Sequence, residues 1–276
     1  MPSSVTVSVV IRVRNEAFAL RKVLCALQAQ DLTPQEIVVV DNDSSDDSRM
    51  VAREYGAKVV DLPRQHFTYG GALNVGIRAT SSEFVCILSA HAMPVGPGFL
   101  RNAVAPFADG QVAAVRCLSV TGRKELENWT NPVTLEWPVQ METVISSAPV
   151  NCASMIRRSV WEQIPYDETL AGVEDKFWAL QVLKNGYRIC NSPAPYIYLK
   201  DTGFGDRLRV LNRDRLEIFR MTGRQWQEPP VSLRDLLANM FYRIPRRAFR
   251  AATYEAALYL CLKTIPYQLR RKQKAS

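Results

Sequence analysis

The 276-residue sequence lacks the features that mark several classes of protein. It contains no run of about 20 uncharged apolar residues, so we expect no segment that crosses a bilayer. Its start, Met1-Pro2-Ser3-Ser4, has neither the basic segment nor the apolar core of a signal peptide, which predicts a cytoplasmic protein. None of its six cysteines forms a C-x-x-C pair, so neither a zinc site nor a redox motif is indicated.

Acidic residues are scarce at one end of the chain. Residues 243–276 contain nine Lys or Arg against Glu255 alone, whereas residues 1–242 balance 26 basic with 26 acidic side chains. The segment 251–262 is mostly apolar and is flanked by these cations, which is typical of a helix lying in a membrane interface. We therefore expect the tail to bind an anionic membrane surface at the inner face of the cell membrane. A helix packed on the rest of the chain is the alternative, and nucleic acid is not an expected partner.

Hydrophobic runs and helical patterns alternate along the first part of the chain. Strands are predicted at 5–13, 37–40, 58–62, 84–88 and 112–118, and helices at 16–30, 45–55, 71–80 and 99–107. This alternation predicts an α/β fold with a sheet flanked by helices. The pattern is lost at 119–150, which we interpret as a long functional loop. It resumes with a strand at 152–156 and helices at 159–163 and 174–185, and helices are expected from 206 onward.

Polar residues follow three of the predicted strands at their carboxyl ends. They are Arg14-Asn15-Glu16, Asp41-Asn42-Asp43-Ser44 and Ser89-Ala90-His91. Ligands of open parallel sheets bind at that edge, where the connections change direction. The sequence therefore predicts a binding site formed by these three strand ends.

Four segments together resemble family 2 glycosyltransferases, in particular their bacterial rhamnosyltransferase-like branch. They are VSVVIRVRNEAFALRKVLCALQAQ, EIVVVDNDSSDDS, FTYGGALNVGIRATSSEFVCILSAHAMP and CASMIRRSVWEQIPYDETLAGVEDKFWALQVLKNGYRI. The resemblance covers residues 5–190, about two thirds of the chain. It implies the A-type nucleotide-sugar fold, a mixed and mainly parallel sheet with flanking helices, plus a C-terminal helical extension. The implied parts are a nucleotide-sugar half at 1–118, an acceptor half at 119–200 and a basic helical extension at 201–276.

The resemblance assigns a set of residues to donor binding. Asp41 matches an aspartate that contacts the nucleotide base or ribose, and a carboxylate can accept a hydrogen bond from a uracil or thymine N–H. The alternative is that Asp41 and Asp43 cap the following helix. The remaining matched donor-side residues are Arg14, Asn15, Glu16, Gly70, Gly71 and Asn74, and Asn74 has the alternative of satisfying backbone groups.

Ser89 and His91 occupy the positions where the family has Asp-x-Asp, whose last carboxylate holds Mg²⁺ or Mn²⁺. Imidazole can ligate Mn²⁺ but suits Mg²⁺ poorly, because hard cations prefer oxygen. Three interpretations stay open: His91 as a Mn²⁺ ligand, His91 bonded directly to the diphosphate, or a degenerate site. A divalent cation is therefore a possible cofactor.

Glu174-Asp175 matches the acidic pair that opens a helix on the acceptor side of the family. One carboxylate of such a pair can take the proton of the attacking acceptor hydroxyl, and we assign that role to Asp175. Complementing the helix dipole is the alternative. Trp178 can stack on an acceptor sugar or belong to the core. The arginine-rich region 200–215, beginning at Lys200, offers cations for the leaving diphosphate or a solvated helix face.

The resemblance implies transfer of a hexose or deoxyhexose from a nucleotide-diphosphate donor to a saccharide or lipid-linked saccharide hydroxyl. By analogy with the family, the transfer inverts the anomeric configuration of the sugar. Such a reaction belongs to polysaccharide or glycolipid synthesis. A sugar nucleotidyltransferase is one alternative, although the Gly-rich phosphate loop expected after the first strand is absent. A non-catalytic, membrane-associated scaffold is the other, because the Asp-x-Asp motif is missing.

Overall fold

A computed structural model describes residues 5–120, 133–200, 210, 213, 214 and 216–219. The chain divides into two compact units, residues 1–200 and 201–276, and the fold given below is that of the first. The basic tail at 243–276 and most of the arginine-rich region lie outside the described residues.

Strands and helices alternate through the first unit. The strands are β1 (Val7–Val13), β2 (Glu36–Asp41), β3 (Lys58–Asp61), β4 (Phe84–Ser89), β5 (Ala92–Pro94), β6 (Val112–Ser119), β7 (Thr134–Leu135), β8 (Ala153–Arg157) and β9 (Arg188–Tyr198). The helices are α1 (Ala17–Gln28), α2 (Ser48–Glu54), α3 (Tyr69–Arg78), α4 (Phe99–Val104), α5 (Met141–Ser147), α6 (Arg158–Gln163) and α7 (Glu174–Lys184). Short 3₁₀ turns lie at Arg64–His66 and Ala105–Ala108.

These strands form one mixed sheet in the order β3-β2-β1-β4-β8-β6-β9-β5, with β7 paired to β9. The first four strands pair in parallel, as do β6 and β9. Antiparallel pairing enters through β8, which lies between β4 and β6, and through β5 and β7 on β9. The predicted mixed α/β sheet with flanking helices is confirmed.

The sheet buries both faces, which explains the continuous apolar runs of its central strands. In β1, Val9 and Ile11 belong to the core on the face that α1 covers, where Leu24 is fully buried. Val10 belongs to the core on the other face, beside Leu73 of α3. Since successive side chains alternate across a strand, one β-branched run supplies both cores.

Two regions differ from the sequence-based expectation. Within the predicted loop at 119–150 the structure has α5 and the short strand β7. The long strand β9 was not predicted, because Pro193 and Pro195 interrupt its pattern. In the structure, the register of β9 against β6 shifts between Arg116 and Leu118. Over the residues that the structure describes, no helix combines the length and apolarity needed to cross a membrane.

Candidate donor-binding site

A pocket of about 460 Å³ lies at the carboxyl ends of β1 and β4. The parallel sheet changes direction here, because β2 and β4 flank β1 on opposite sides. Its lining residues come from both strand ends and from three further segments: Arg12, Val13, Arg14, Asn15, Glu16, Asn42, Phe67, Tyr69, Ser89, His91 and Lys200. Five of the predicted donor-site residues are therefore brought together: Arg14, Asn15, Glu16, Ser89 and His91.

Hydrogen bonds hold the loop after β1 against the loop after β2. Asn15 adopts a left-handed backbone conformation (φ 52°), which asparagine tolerates better than most residues. Its Oδ1 accepts a hydrogen bond from the Ser45 backbone N–H at 2.7 Å, and its own N–H donates to Ser44 Oγ at 3.0 Å. Asp46 bonds the backbone N–H of Ala17 at the start of α1. The floor of the pocket is thus fixed by contacts between the two loops.

Glu16 links two of the basic groups that line the pocket. Its Oε2 lies 2.6 Å from His91 Nδ1, and its Oε1 accepts a hydrogen bond from Lys200 Nζ at 2.6 Å. Burial of Glu16 opposes its ionisation, but the hydrogen bonds from His91 and Lys200 outweigh burial and lower the pKa of the carboxyl. An ionised carboxylate only accepts, so His91 Nδ1 carries the shared proton and Nε2 is left for a ligand. Tyr198 packs edge-on against the imidazole at 4.6 Å.

The side chains that line this pocket do not form a suitable set of ligands for a divalent cation. Mg²⁺ and Mn²⁺ sites are built from oxygen ligands, carboxylates above all. Among the described lining residues Glu16 is the one acid, and His91 and Lys200 already occupy its two oxygens. Across the described part of the chain, no cluster of three or more His, Cys, Asp or Glu is placed to hold a metal ion. The predicted metal role of His91 therefore has no matching ligand set among the residues that the structure describes.

Arg12 was missed by the sequence analysis. It is the second-last residue of the apolar strand β1, and a charged residue inside such a run is the signal that could have found it. Its Nη2 donates to the Asn151 carbonyl at 3.1 Å, and its guanidinium lies 5.4 Å from the centre of the Tyr69 ring. Within the part of the chain that the structure describes, its Nε and Nη1 are buried and have no hydrogen-bond partner. Phe67 and Tyr69 were also missed as lining residues.

The acidic pair Glu174-Asp175 opens α7 behind this wall of the pocket. Glu174 is buried, accepts a hydrogen bond from Asn151 Nδ2 at 3.0 Å and lies 3.8 Å from Arg12 Nη1. Burial, followed by the negative charge of Asp175, raises the pKa of Glu174. Asp175 is less buried and accepts a hydrogen bond from the Asn151 N–H at 3.3 Å. Neither carboxylate lines the pocket, and Asn151 and Arg12 connect the pair to it.

Asp41 and Asp43 also lie outside the pocket lining, although Asn42 between them belongs to it. Asp41 is fully buried; its Oδ2 accepts from the Ser44 N–H and pairs with Arg49 Nη2 at 2.8 Å. Its Oδ1 has no hydrogen-bond partner among the described residues. Asp43 is exposed and has a left-handed backbone (φ 56°). Neither carboxylate caps α2, which begins after Asp47.

Three predicted site residues lie in the protein core instead. Trp178 is 1% exposed, donates its indole N–H to the Ile164 carbonyl and stacks on Tyr166, so the structure places it in the core, which is one of the two alternatives that the sequence left open. Asn74, also 1% exposed, bonds Tyr166, Glu168 and Trp161. The Gly71 N–H donates a hydrogen bond to Thr68 Oγ1, which caps the start of α3, and a Cβ at Gly71 would lie 2.8 Å from that oxygen. The predicted donor contacts of Asn74 and Gly71 are therefore replaced by structural ones.

The chain is similar to known proteins both in sequence and in fold. The O-antigen chain rhamnosyltransferase WbaN of Salmonella anatum is 28% identical over 181 residues, covering 59% of this chain and 56% of that relative. The mannosyltransferase PcManGT of Pyrobaculum calidifontis, solved in complex with GDP-Man and Mn²⁺, superposes with a TM-score of 0.63 at 21% identity, covering 99% of this chain and 81% of that one. TarS 1–349 of S. aureus, in complex with UDP-GlcNAc, gives 0.59 at 21% identity, with coverages of 78% and 66%.

The chain thus spans little more than half the length of the rhamnosyltransferase it matches. The two solved structures share its fold, and both hold a nucleotide sugar. The family profile described as Glycosyl transferase family 2 matches residues 8–164, more than half of the chain. On the strength of that match, this chain belongs to glycosyl transferase family 2.

Proposed function

We propose that the chain transfers a sugar from a nucleotide-diphosphate donor to a hydroxyl group of a saccharide or lipid-linked saccharide. The observation that carries this proposal is the basic pocket at the carboxyl ends of β1 and β4. Asn151 connects this pocket to the carboxylate pair, because it bonds both Arg12 in the lining and Asp175. The pocket supplies cations for a diphosphate, and the pair supplies a proton acceptor. Both are needed for glycosyl transfer, and Asn151 and Arg12 join them.

In the proposed reaction the acceptor oxygen attacks the anomeric carbon of the donor sugar. The bond between that carbon and the diphosphate oxygen breaks, and its electron pair stays with the diphosphate. The acceptor proton passes to Asp175, whose carboxylate is only partly buried and whose Oδ2 accepts a long hydrogen bond of 3.3 Å from the Asn151 N–H. Glu174, held by Asn151 and Arg12, positions this residue. A single displacement of this kind inverts the anomeric configuration.

The nucleoside part of the donor is proposed to lie towards the β1 and β2 ends. Asn42 lines the pocket there, and the neighbouring Asp41 has a buried Oδ1 that no described residue hydrogen-bonds. Such an oxygen is costly unless a donor reaches it, and a base N–H is a suitable donor. Arg14 and Asn15 border the same end of the pocket. Asp41 is thereby proposed as the base or ribose contact, reached by movement of the loop after β2.

For the acceptor we propose a growing bacterial polysaccharide or its lipid-linked precursor, since the curated relative is an O-antigen chain rhamnosyltransferase. An acceptor carried on a lipid would give the basic residues 243–276 a purpose, because enzyme and acceptor would meet at the inner face of the cell membrane. Trp178, which is buried in the core, has no part in this proposed acceptor site.

Replacement of Asp175 by Asn tests the proposal. We expect transfer from the accepted nucleotide sugar to fall at least about 100-fold, because general-base catalysis contributes that much. Donor affinity should stay unchanged, since Asp175 does not line the pocket. The rate of nucleoside-diphosphate release in the presence of acceptor is the measurement, and Asp31→Asn is the control for loss of a remote carboxylate. Unchanged turnover in Asp175→Asn would contradict the assigned role.

A further inference from the structure

The charges that line the donor pocket balance a diphosphate without further help. Arg12, Arg14 and Lys200 are cationic, and Glu16 is the one acid among the described lining residues. These four groups carry a net formal charge of +2, without counting His91 or Glu174, which lies behind the pocket 3.8 Å from Arg12. Each phosphate of a nucleotide sugar carries one negative charge, so the side chains already match the diphosphate. A divalent cation added to this set would leave an excess of positive charge.

Glu16 organises two of the groups that could hold the diphosphate. It bonds His91 and Lys200 at 2.6 Å each, through different oxygens. The imidazole is thereby oriented with Nε2 away from Glu16, and the ammonium keeps two further N–H donors. Side chains fixed in this way lose little freedom when a ligand binds. The Glu16 carboxylate therefore orients two side chains, His91 and Lys200, that can contact phosphate.

Arg12 supplies the inner wall of the same pocket. Among the described residues, its Nε and Nη1 are buried without hydrogen-bond partners; Nη1 lies 3.8 Å from Glu174, and Nη2 is held by the Asn151 carbonyl. Buried guanidinium N–H groups without acceptors destabilise a protein. An anion bound in the pocket would give them acceptors, and guanidinium geometry suits phosphate oxygens.

On the basis of the proposed function, we propose that Arg12, His91 and Lys200 bind the donor diphosphate directly, without a divalent cation. Carboxylates at positions 89 and 91 would repel a diphosphate unless a metal ion lay between them. Ser89 and His91 remove that repulsion, so the departure from Asp-x-Asp is part of the binding mode. When the bond to the anomeric carbon breaks, the diphosphate gains negative charge, and the same preorganised donors stabilise it.

Calorimetric titration of the full chain tests this binding mode. UDP, dTDP and GDP are titrated against the protein, with the matching nucleosides as references, in EDTA and in MnCl₂. We expect the nucleoside diphosphate that binds to have the same Kd in both buffers within about twofold, a difference below 1 kcal/mol. The ratio of the Kd of the nucleoside to the Kd of the nucleoside diphosphate measures the contribution of the diphosphate contacts. Tighter binding only in MnCl₂ would overturn the proposal.

Three variants assign the contacts. Lys200→Gln and His91→Gln should each weaken diphosphate binding about tenfold in EDTA, the effect of one charge-assisted hydrogen bond. Nucleoside affinity should be unchanged, which shows that the pocket is still formed. Lys58→Gln is the control, because Lys58 is exposed and bonds the Ala79 carbonyl away from the pocket. His91→Asp should bind weakly in EDTA and regain affinity with Mn²⁺.

The outcomes separate this inference from the proposed function. If no nucleoside diphosphate binds in either buffer, the donor site itself is wrong. If binding requires Mn²⁺ in the wild type, the donor site stands and the metal-free mode is refuted. If binding in EDTA is strong but neither Lys200→Gln nor His91→Gln changes the ratio of diphosphate to nucleoside affinity, these side chains are not the phosphate ligands.

Discussion

At the scale of single residues, Asn74 illustrates how a matched position can serve the fold. Its amide donates to the Tyr166 carbonyl and to Glu168, both at 2.8 Å, and accepts from Trp161 Nε1 at 2.9 Å and from the Tyr166 N–H at 3.1 Å. These bonds hold the segment before α7 on α3. Asn74 therefore holds in place the segment that precedes the acidic pair.

We expect Asn74→Ala to lower the free energy of unfolding by about 2–4 kcal/mol, because it leaves buried groups of Trp161 and Tyr166 unpaired. Urea denaturation measures this change. Asn185→Ala is the matched control, since exposed Asn185 makes one bond within its own helix end. An equal, small effect in both variants would show that the buried network contributes nothing to stability.

The identities of several site residues were predictable, but their partners were not. Arg14, Asn15, Glu16, Ser89 and His91 follow apolar strands, and that position alone indicates the pocket edge. The contact of Glu16 with His91 joins residues 75 positions apart and depends on the order of β1 and β4. Trp178 follows Asp175 by one helical turn, but the spacing does not tell which side of α7 meets the core.

At the scale of elements, the packing of α3 on the sheet depends on Gly76. A Cβ at this position would lie 2.4 Å from Val10 Cγ1 and 2.9 Å from Val40 Cγ2. The helix therefore approaches β1 and β2 more closely than a side chain permits. The same helix begins at Tyr69, which lines the pocket.

Gly76→Ala should destabilise the protein by about 1–3 kcal/mol through overpacking, even though alanine favours helices. Thermal unfolding and urea denaturation give the change. Gly110→Ala serves as the control, because a Cβ there meets no atom within 4 Å and its effect should be near zero. A Gly76→Ala protein as stable as wild type would mean that α3 can move away from the sheet without cost.

The first four strands were predictable because each contains a short apolar run, and three of them end at polar residues. The direction of β8 was not, since a buried strand looks the same in parallel and antiparallel pairs. The strand β9 was missed because its prolines resemble loop punctuation, whereas the structure places them in a strand with register shifts. Local pattern predicts which segments are strands better than it predicts their neighbours.

At the scale of the whole molecule, the formal charge of +8 is concentrated in residues 243–276, outside the described part of the chain. Replacing Arg270, Arg271, Lys272 and Lys274 by Gln in the full chain should weaken binding to vesicles with anionic lipid by about 1 kcal/mol per charge. Vesicle sedimentation measures this. The control replaces four exposed basic residues of the first unit by Gln: Lys22, Arg53, Lys58 and Lys184. Equal losses in both proteins would contradict a dedicated membrane contact.

The central claim is that the pocket between the ends of β1 and β4 receives the nucleotide part of a sugar donor. Its most direct test is the Kd of the bound nucleoside diphosphate for Ser89→Trp, in which an indole would fill the pocket that Ser89 lines. Gln65→Trp, at an exposed position that does not line the pocket, is the control, and unfolding temperatures verify both folds. The account predicts loss of binding in Ser89→Trp and retention in Gln65→Trp; binding of wild-type strength in Ser89→Trp would contradict it.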